Sequence, residues 1–570
     1  MNVEMLSEFA QGSTIKLTTK GCNYDLSEGD NIAFTLNLQP IVNNNIPEDV
    51  DFATISKRNG VIYQQHIDSK SVVKYAHHDD ISSRMAQIRK EIKQSINNTS
   101  LSNESKHYII ALVLGDKKQI DRQTRNEYSF AGISHVLALS GLHIGIIMMF
   151  IWFILWPLDF YRLKKLRFIL SVIIVLLYDF LTGFPPSVLR ATIMISFTFA
   201  TFVFGRKSSA INALMTAALL IVTFSPESLF NAGFQLSFVT VIIILTLAPS
   251  NSTLKTKKKW IKYISTLVIT SIIAMGATIA LTAYYFHTIS WAGVISNILI
   301  LPIFPILMAT AIFIIALACG NINFDIINSI ADTLINYINT VAEIISKLPH
   351  AYSKEVYFCE WDVVTYYICI ALFTLFIFKR KWIYFNLGLA GCAIGIIGHT
   401  LVLSSFSTSG CVLFNSFDST PIVLYQNGNA YYWLPDDNTE IFNKEDFRTL
   451  HSGFFAAHSI NDFTEVNDKT SNLSNIVIKS PFAFIQGKTY LVAGKNYWSD
   501  FKPNNNLMID YCIITKHFNG TIDELNRLYN IKCIVISGNV YEPNIPNLIE
   551  QCKRAGIKHH CLREKSIKIE

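Results

Sequence analysis

The sequence predicts a polytopic α-helical membrane protein with a small β-domain at its N-terminus and an α/β sandwich at its C-terminus. Three observations carry this. Of 570 residues, 51% are hydrophobic and only 16% charged, and the apolar ones concentrate between about 133 and 405. Roughly 20 such residues in a row suffice to cross a bilayer core, and this stretch holds several runs of that kind. The N-terminal flank instead alternates apolar and polar residues at the two-residue period of strands, and the tail, soluble in composition, holds short runs that read as strands. The net charge of +6 comes largely from clusters beside apolar segments, so it gives no argument for nucleic acid. Ten cysteines include no C-x-x-C pair and no zinc spacing, which speaks against a thiolate metal site. Cys22 stands alone, while Cys512, Cys533, Cys552 and Cys561 would allow one disulfide if the tail lies outside the cytoplasm.

The first domain is expected over residues 1–78. Its first fifteen residues contain acids and no continuous apolar core, so no signal peptide is expected. Thr14 to Thr19, Asn31 to Leu38 and Val61 to His66 read as short strands, and the Gly29-Asp30 turn suits a small barrel. Residues 79–132 read as an interfacial helical connector. Ile88, Ile92 and Ile96 recur at helical spacing, Asn97-Asn-Thr-Ser interrupts, and an apolar run from Tyr108 to Leu114 follows.

A membrane domain over 133–405 divides into about eight spans, near 133–158, 166–184, 187–204, 208–224, 233–249, 260–287, 363–378 and 382–405, plus a broken segment at 291–318. Four basic clusters mark cytoplasmic loops: Arg162 to Arg167; Arg206 and Lys207; Lys255 to Lys259; and Lys379 to Lys381. For all four to share a side, 291–318 must return to the face it left. Pro302 and Pro305 break it near its middle, so it reads as a re-entrant pair of half-helices beside a watery cavity. Residues 323–349, with Asp325, Asp332, Glu343 and Lys347, read as an interfacial amphipathic helix. The same parity places both terminal domains outside the cytoplasm.

Polar residues within these runs are the candidate functional groups. As one helix, the first span would put His135, Ser140 and His143 within an arc of roughly 140°, the imidazoles about 12 Å apart along the axis. Residue chemistry alone leaves two readings: headgroup and interhelical bonding, or a pathway or catalytic role. Arg190 lies in another apolar run, with Asp179 as its nearest candidate ion-pair partner. It could instead offer a guanidinium to phosphate. Asn231, Gln235 and Ser237 add neutral donors, and Asn297 sits in the broken segment.

The tail, 409–570, alternates strands with helices. Val412 to Phe414, Ile422 to Tyr425, Ala430 to Trp433, Asn475 to Ile478, Thr489 to Val492, Tyr511 to Ile514 and Cys533 to Ile536 read as strands. Thr521 to Tyr529 and Pro546 to Ala555 read as helices, and His559-His560 as a solvated pair.

Four stretches carry a resemblance. They are Ala111-Leu-Val-Leu-Gly115-Asp116 through Phe130-Ala-Gly132; His135-Val-Leu-Ala-Leu-Ser140-Gly141-Leu-His143; Gly183-Phe-Pro-Pro-Ser187-Val-Leu-Arg190-Ala191; and Pro226 through Gly233-Phe-Gln235-Leu-Ser237-Phe. In this order they resemble the ComEC family of competence membrane proteins. The resemblance implies a channel for one strand of incoming DNA across the inner membrane. Along its path would stand His135, Ser140, Gly141, His143, Ser187, Arg190, Gln235, Ser237 and Asn297, with Asp179 as a structural partner. It also implies an OB-type first domain, though few aromatics interleave with few basic residues there. The family carries membrane helices ahead of that domain, and none is seen in this sequence, which leaves open a lost start or a one-sided tether.

The tail resembles the metallo-β-lactamase-like domain that ends many family members. That fold's chemistry needs a His-x-His-x-Asp-His loop, but here the place reads Thr515-Lys-His517-Phe-Asn-Gly-Thr, and Asn415-Ser-Phe-Asp418 departs as well. A fold without metal site, cofactor or nuclease activity is therefore expected. No Walker A loop appears, so a motor must be external. The resemblance implies single-stranded DNA, the bilayer, an outer DNA receptor or pilus and an inner ATP-driven helicase-like motor as partners, and leaves homo-oligomerisation open. The competing readings are an intramembrane hydrolase using His135, Ser140 and His143, and a small-solute transporter.

Overall fold

The computed structural model describes residues 14–20, 28–36, 38–41, 46, 48–49, 51–68, 72–203, 205, 209–248, 258–320, 322–414, 421–434, 442–466, 476–494, 507–541, 544–562 and 566–569. Cys22, Arg206, Lys207, Lys255, Lys257 and the Asn415–Asp418 turn lie outside the described residues. The chain forms two compact units. One comprises Met1–Lys16, Leu38–Gln64 and Ala393–Glu570, the other Leu17–Asn37 and Gln65–Cys392.

The N-terminal strands are β1 (Thr14–Lys20), β2 (Asp30–Ala33), β3 (Gln39–Pro40), β4 (Val61–Asp68) and β5 (Val73–His77), with α1 (Phe52–Arg58) between β3 and β4. They form a three-stranded sheet in the order β1-β4-β3 and a separate β2-β5 pair. Among the described residues no closed barrel links them. Asp30, buried at the start of β2, receives Lys74 and His77 at 2.7 Å each, so its desolvated charge is paired across the ladder.

The helical unit begins with α2 (Ile81–Asn97), α3 (Asn103–Leu114) and α4 (Arg122–Phe130). Ser102 caps α3 through the Ser105 amide, and Gly115 ends it in the left-handed region at φ +75°. Every residue of α3 from Tyr108 to Leu114 is buried. The helix therefore joins the unit's core alongside residues of the later helices. Next come α5 (Ser134–Leu137), α6 (Gly141–Ile154), α7 (Pro157–Phe160), α8 (Lys164–Thr182), α9 (Pro186–Val203), α10 (Ala210–Phe224), α11 (Ala232–Leu247) and α12 (Lys259–Phe286). The turn between α8 and α9 uses Gly183 and Phe184 at positive φ, then proline at the first position of α9. Arg89 of α2 holds the Leu181 carbonyl at 2.8 Å and so ties down the end of α8.

Strands β6 (Thr288–Ser290) and β7 (Tyr352–Lys354) pair antiparallel around α13 (Gly293–Ile300), α14 (Phe304–Cys319) and α15 (Asp325–Ser346). The expected break falls between α13 and α14, which bend by 54°. By contrast, α15 differs from the interfacial reading. Its apolar stripe of Ala331, Ile335, Ile338, Ala342 and Ile345 enters the protein core, while Asp325 and Asp332 accept hydrogen bonds from Ser100 and Ser102. Its amphipathic pattern thus serves packing within the helical unit.

Helices α16 (Glu360–Lys379) and α17 (Trp382–Ser405) are apolar, yet Trp382, Ile383, Leu387, Ile394, Ile396, Ile397 and Leu401 stay exposed. Apolar faces that continuous are unfavourable in water and call for lipid. Three helices, α12, α16 and α17, are long and apolar enough to cross a membrane, and the bent α13–α14 pair makes a fourth if it is one span. Apolar helices of 14 to 16 residues at α6, α10 and α11 are shorter than the spans expected there. The chain is a membrane protein by its apolar helices.

The tail is a four-layer sandwich. One sheet runs β11-β10-β9-β8-β18 and the other β12-β13-β14-β15-β16-β17. Their strands are β8 (Ser409–Leu413), β9 (Ile422–Gln426), β10 (Asn429–Trp433), β11 (Asp462–Glu465), β12 (Ile476–Lys479), β13 (Phe482–Ile485), β14 (Lys488–Ala493), β15 (Leu507–Ile514), β16 (Tyr529–Ile536), β17 (Lys558–Cys561) and β18 (Ile567–Ile569). Leu413, Leu424, Ile478, Tyr490 and Val535 fill the space between the sheets. Helices α18 (Lys444–Leu450) and α19 (Ser452–Ala457) cover the first sheet, and Ile522–Leu528 and Ile545–Arg554 cover the second. All nine described cysteines are free. His559 and His560 are half-buried within β17, not a solvated pair, because that strand completes the second sheet.

Candidate functional site

The signature segment is not one helix. After the single turn of α5 the chain becomes extended at Ala138 (ψ 133°) and Ser140 (φ −127°, ψ 171°), and α6 starts at Gly141. The arc expected for a continuous helix therefore does not apply. Ser140 is the N-cap of α6, and His143 occupies the position where a capping box usually carries Glu or Gln. The His143 ring reaches back, its Nδ1 accepting the Ser140 amide at 3.2 Å and lying 2.9 Å from the Ser140 hydroxyl. An Nδ1 that accepts an amide proton leaves the ring's own proton on Nε2. That Nε2 is buried without a partner, and the ring packs edge-on against Phe304 at 4.9 Å.

Helix α9 braces the break. Ser187 donates to the Leu139 carbonyl at 2.7 Å, and Gly141 faces Ala191 closely enough for ordinary contact. One turn after Ser187, Arg190 is only 5% exposed. One nitrogen bonds the Ser187 carbonyl at 3.3 Å, the guanidinium lies 5.4 Å above the Phe238 ring, and Nη1 has no partner. The expected ion pair with Asp179 is not formed. Asp179 is fully buried on α8 and instead accepts the Thr192 hydroxyl at 3.0 Å, with its other oxygen unpartnered. Thr192, two residues beyond Arg190, takes the carboxylate on α9 that the guanidinium was expected to hold.

The loop leading into the signature is docked on the bent pair. Ser290 and Ser296 donate to the carbonyls of Phe130 and Ala131, at 2.8 and 2.6 Å. Gly132, at φ +76°, lies so close to Gly293 that a Cβ would fall 2.8 Å from its Cα. His135, on the single turn of α5, is exposed.

Sequence-derived residues thus separate into groups. Ser140, Gly141, His143, Ser187 and Arg190 come together at the α6–α9 junction, with His135 nearby. Gln235 does not join them. It binds the Leu229 carbonyl at 3.1 Å and the Tyr285 hydroxyl at 2.9 Å, tying α11 to α12, so the amide expected on a path is spent on helix packing. Ser237 is half-buried on α11, and Asn297 holds a buried, unpartnered carbonyl oxygen on α13. The Ser140 cap was missed by sequence reasoning; the signal that could have found it is a serine three residues before a side-chain acceptor, the spacing of a capping box. Among the described residues, no group of three or more His, Cys, Asp or Glu side chains could hold a metal ion. His517, after β15, is exposed.

Residues 112–380 match the family described as Competence protein, and residues 411–569 match the ComEC C-terminal domain. ComE operon protein 3 of Bacillus subtilis is 30% identical over 250 residues, 43% of this chain and 31% of that protein. Recombination protein 2 of Haemophilus influenzae is 23% identical over 286 residues, 47% of this chain and 35% of that protein. An uncharacterized protein of Aquifex aeolicus is 29% identical over 143 residues, 24% of this chain and 32% of that protein. The chain thus spans about a third of the length of these relatives. No solved structure matches. With both matched regions in order and together covering most of its length, the chain belongs to the ComEC family of competence proteins.

Proposed function

We propose that the chain passes single-stranded DNA across the cytoplasmic membrane during natural transformation. The observation that carries this is the buried polar knot at the α6–α9 junction, where His143 Nε2 and Arg190 Nη1 lack partners among apolar helices. Each such atom costs about 1–3 kcal/mol when left unmet. Retaining two of them is reasonable where a polar substrate or its water meets them in the working state. An imidazole N–H and a guanidinium are both donors, the polarity a phosphodiester requires. Ser187, Gly141 and Phe304 set the positions of these donors. Membership of a competence family supports the same reading.

In this reading the basic clusters face the cytoplasm, both end domains lie outside, and α13–α14 is re-entrant. A DNA receptor or pilus outside and an ATP-driven helicase-like motor inside would complete the route. The β-strands before α2 would serve as an OB-like domain. The helix–sheet–sheet–helix layering of the tail supports a metallo-β-lactamase-like fold without its metal chemistry. Full-length protein given manganese or zinc is expected to leave DNA uncut.

The hydrolase reading has one observation in its favour, the 2.9 Å contact between the Ser140 hydroxyl and His143. A nucleophile and base of that kind need a third group to orient the base, and His143 Nε2 has none. A small-solute transporter would account for the bent pair alone.

Proteoliposomes holding the full chain, supplied with labelled single-stranded DNA under an inward-directed potential, test the proposal. Wild type should admit strand to the nuclease-protected lumen, and His143→Ala, inserted at equal level, should not. Equal protection in both, or in empty vesicles, would remove the reading.

A further inference from the structure

In the tail, β14, β15 and β16 run parallel and end together, with Ala493 paired to Ile514 and Ile514 to Ile536 at their last residues. The ladder continues for one residue more. The Thr515 amide bonds the Ala493 carbonyl at 3.1 Å, and the Ser537 amide bonds that of Ile514 at 2.9 Å. Beyond it the chain turns, the Phe518 amide closing on the Thr515 carbonyl at 3.1 Å, and enters the helix Ile522–Leu528. After β16 the chain similarly leads to the helix Ile545–Arg554. Ligands of open α/β sheets gather outside the carboxyl ends of the strands, where such helices begin. Here that place holds a cavity of about 250 Å³, lined by both turns and by the helix Ile545–Arg554.

Two features of this lining lack a partner. Thr515 is only 1% exposed, and its hydroxyl is buried with nothing to bond. A hydroxyl in that condition destabilises the fold until a polar group reaches it. The helix Ile545–Arg554 starts at the cavity, with Asn544 and Asn547 on its lining, and Asn544 as N-cap makes no side-chain bond to the first turn. The amides of that turn, at the positive end of the helix dipole, are therefore uncapped. Lys516 lines the same cavity, and among the described residues no Asp or Glu does. An ammonium beside a helix N-terminus favours an anion, and phosphate oxygens can accept from both. A phosphate alone would not fill the space. The remainder is lined by Phe518 and by amide side chains, Asn519 and Asn547 among them, an aromatic surface with donors and acceptors suited to a nucleobase. Gln551, by contrast, is spent on packing: it accepts the Ile522 amide at 3.0 Å and donates to the Asn547 carbonyl at 3.3 Å. Asn547 is thus held by its carbonyl and keeps its N–H groups for a ligand.

We propose that this cavity binds a mononucleotide, its phosphate at Lys516 and the start of the helix Ile545–Arg554 and its base against Phe518. Hydroxyl, ammonium and amide donors take the phosphate directly, a different chemistry from the imidazoles and carboxylates that hold a metal. Such a site stands in the tail and is independent of strand passage through the helical unit. Inorganic phosphate presents the same oxygens and a nucleoside the same base, so the test sets both beside the nucleotide.

The measurement is calorimetric titration of the full chain in detergent micelles with deoxyadenosine monophosphate, deoxyadenosine and inorganic phosphate. The nucleotide should bind, and each of the other two should bind about tenfold more weakly or worse. Lys516→Gln, at an exposed position, should weaken nucleotide binding about tenfold by removing a charge-assisted contact. Thr515→Val keeps the side chain's shape while deleting the unmet hydroxyl. It should melt no lower than wild type yet bind the nucleotide about threefold more weakly, a combination that a purely structural threonine would not give. Absence of nucleotide binding in wild type, or unchanged affinity in both variants, would overturn the proposal. Equal affinity for deoxyadenosine would overturn the phosphate contact, and equal affinity for inorganic phosphate would overturn the base contact.

Discussion

Gly132 and Gly141 flank the same stretch of chain but answer differently to an added methyl group. At Gly132 the backbone sits at φ +76°, and a Cβ would lie 2.7 Å from Ser290 Oγ and 2.8 Å from Gly293 Cα. Both the left-handed strain and the clash with backbone oppose alanine. Gly132→Ala is expected to lower stability by about 3 kcal/mol or more, read as a large fall in the melting temperature of the solubilised chain. At Gly141 the nearest atom would be Ala191 Cβ at 3.5 Å, an ordinary contact, so Gly141→Ala should fold normally. Equal loss in both variants would contradict the docking described for the loop. Ser187 offers a finer test. Its hydroxyl satisfies the Leu139 carbonyl in the break, and Ser187→Ala would leave that acceptor unmet at a cost of about 1–3 kcal/mol. A variant as stable as wild type would mean that another group reaches the carbonyl. Arg190 and Asp179 mark where sequence reasoning failed at this scale. Proximity in sequence suggested a pair, but two residues on adjacent helices must also point together, and Thr192 intervenes.

Among the elements, α19 shows how a short helix can be held by its two ends. His451, at its N-cap, meets Asp49 at 2.5 Å, and His458, at its C-cap, bonds the Ser407 carbonyl at 2.9 Å and lies 3.8 Å from Glu48. Burial pushes the His458 ring below its ordinary value, with Ser407 partly offsetting this and Lys568 adding to it. A histidine whose folded pKa is depressed contributes stability present above its unfolded value of 6.5 and lost as pH falls below it. Glu48 works the other way. Burial raises its carboxyl from 4.5, so its contribution is present below that value and fades as pH rises through it. From about pH 7 down to 5 the histidine should govern, and unfolding followed at Trp433 should move to lower temperature. His458→Gln should flatten that dependence; an unchanged acid slope would show that another group sets it. Element types in the tail were legible because short apolar runs rich in β-branched and aromatic residues, such as Ile422-Val-Leu-Tyr and Cys533-Ile-Val-Ile, suit strands buried on both faces. The break after α5 was hidden by continuous hydropathy, since Ala138-Leu-Ser-Gly is as apolar as a helix interior while its serine acts as a cap. The destination of the α15 stripe was also hidden, because amphipathic spacing specifies a face without saying whether protein or lipid covers it.

At the scale of the whole molecule, the membrane class follows from the exposed apolar faces of α16 and α17, and the family follows from motifs spaced over more than a hundred residues. Neither depends on the placement of a single side chain. The proposed route through the molecule does. Sequence placed eight polar residues and one glycine in one path, and the structure gathers Ser140, Gly141, His143, Ser187 and Arg190 while committing Gln235 to Tyr285 and Leu229. Gln235→Ala should accordingly cost stability through the α11–α12 contact and leave strand passage per folded molecule unchanged; loss of passage at full stability would return it to the path. The decisive measurement is the amount of labelled DNA that becomes nuclease-resistant in cells of a transformable bacterium whose own family member is replaced by this chain. Wild type should restore uptake, and His143→Ala and Arg190→Ala, at matched membrane levels, should each abolish it. Uptake by either variant at the wild-type rate would show that the buried knot at the α6–α9 junction is packing alone and that the strand passes elsewhere or not at all.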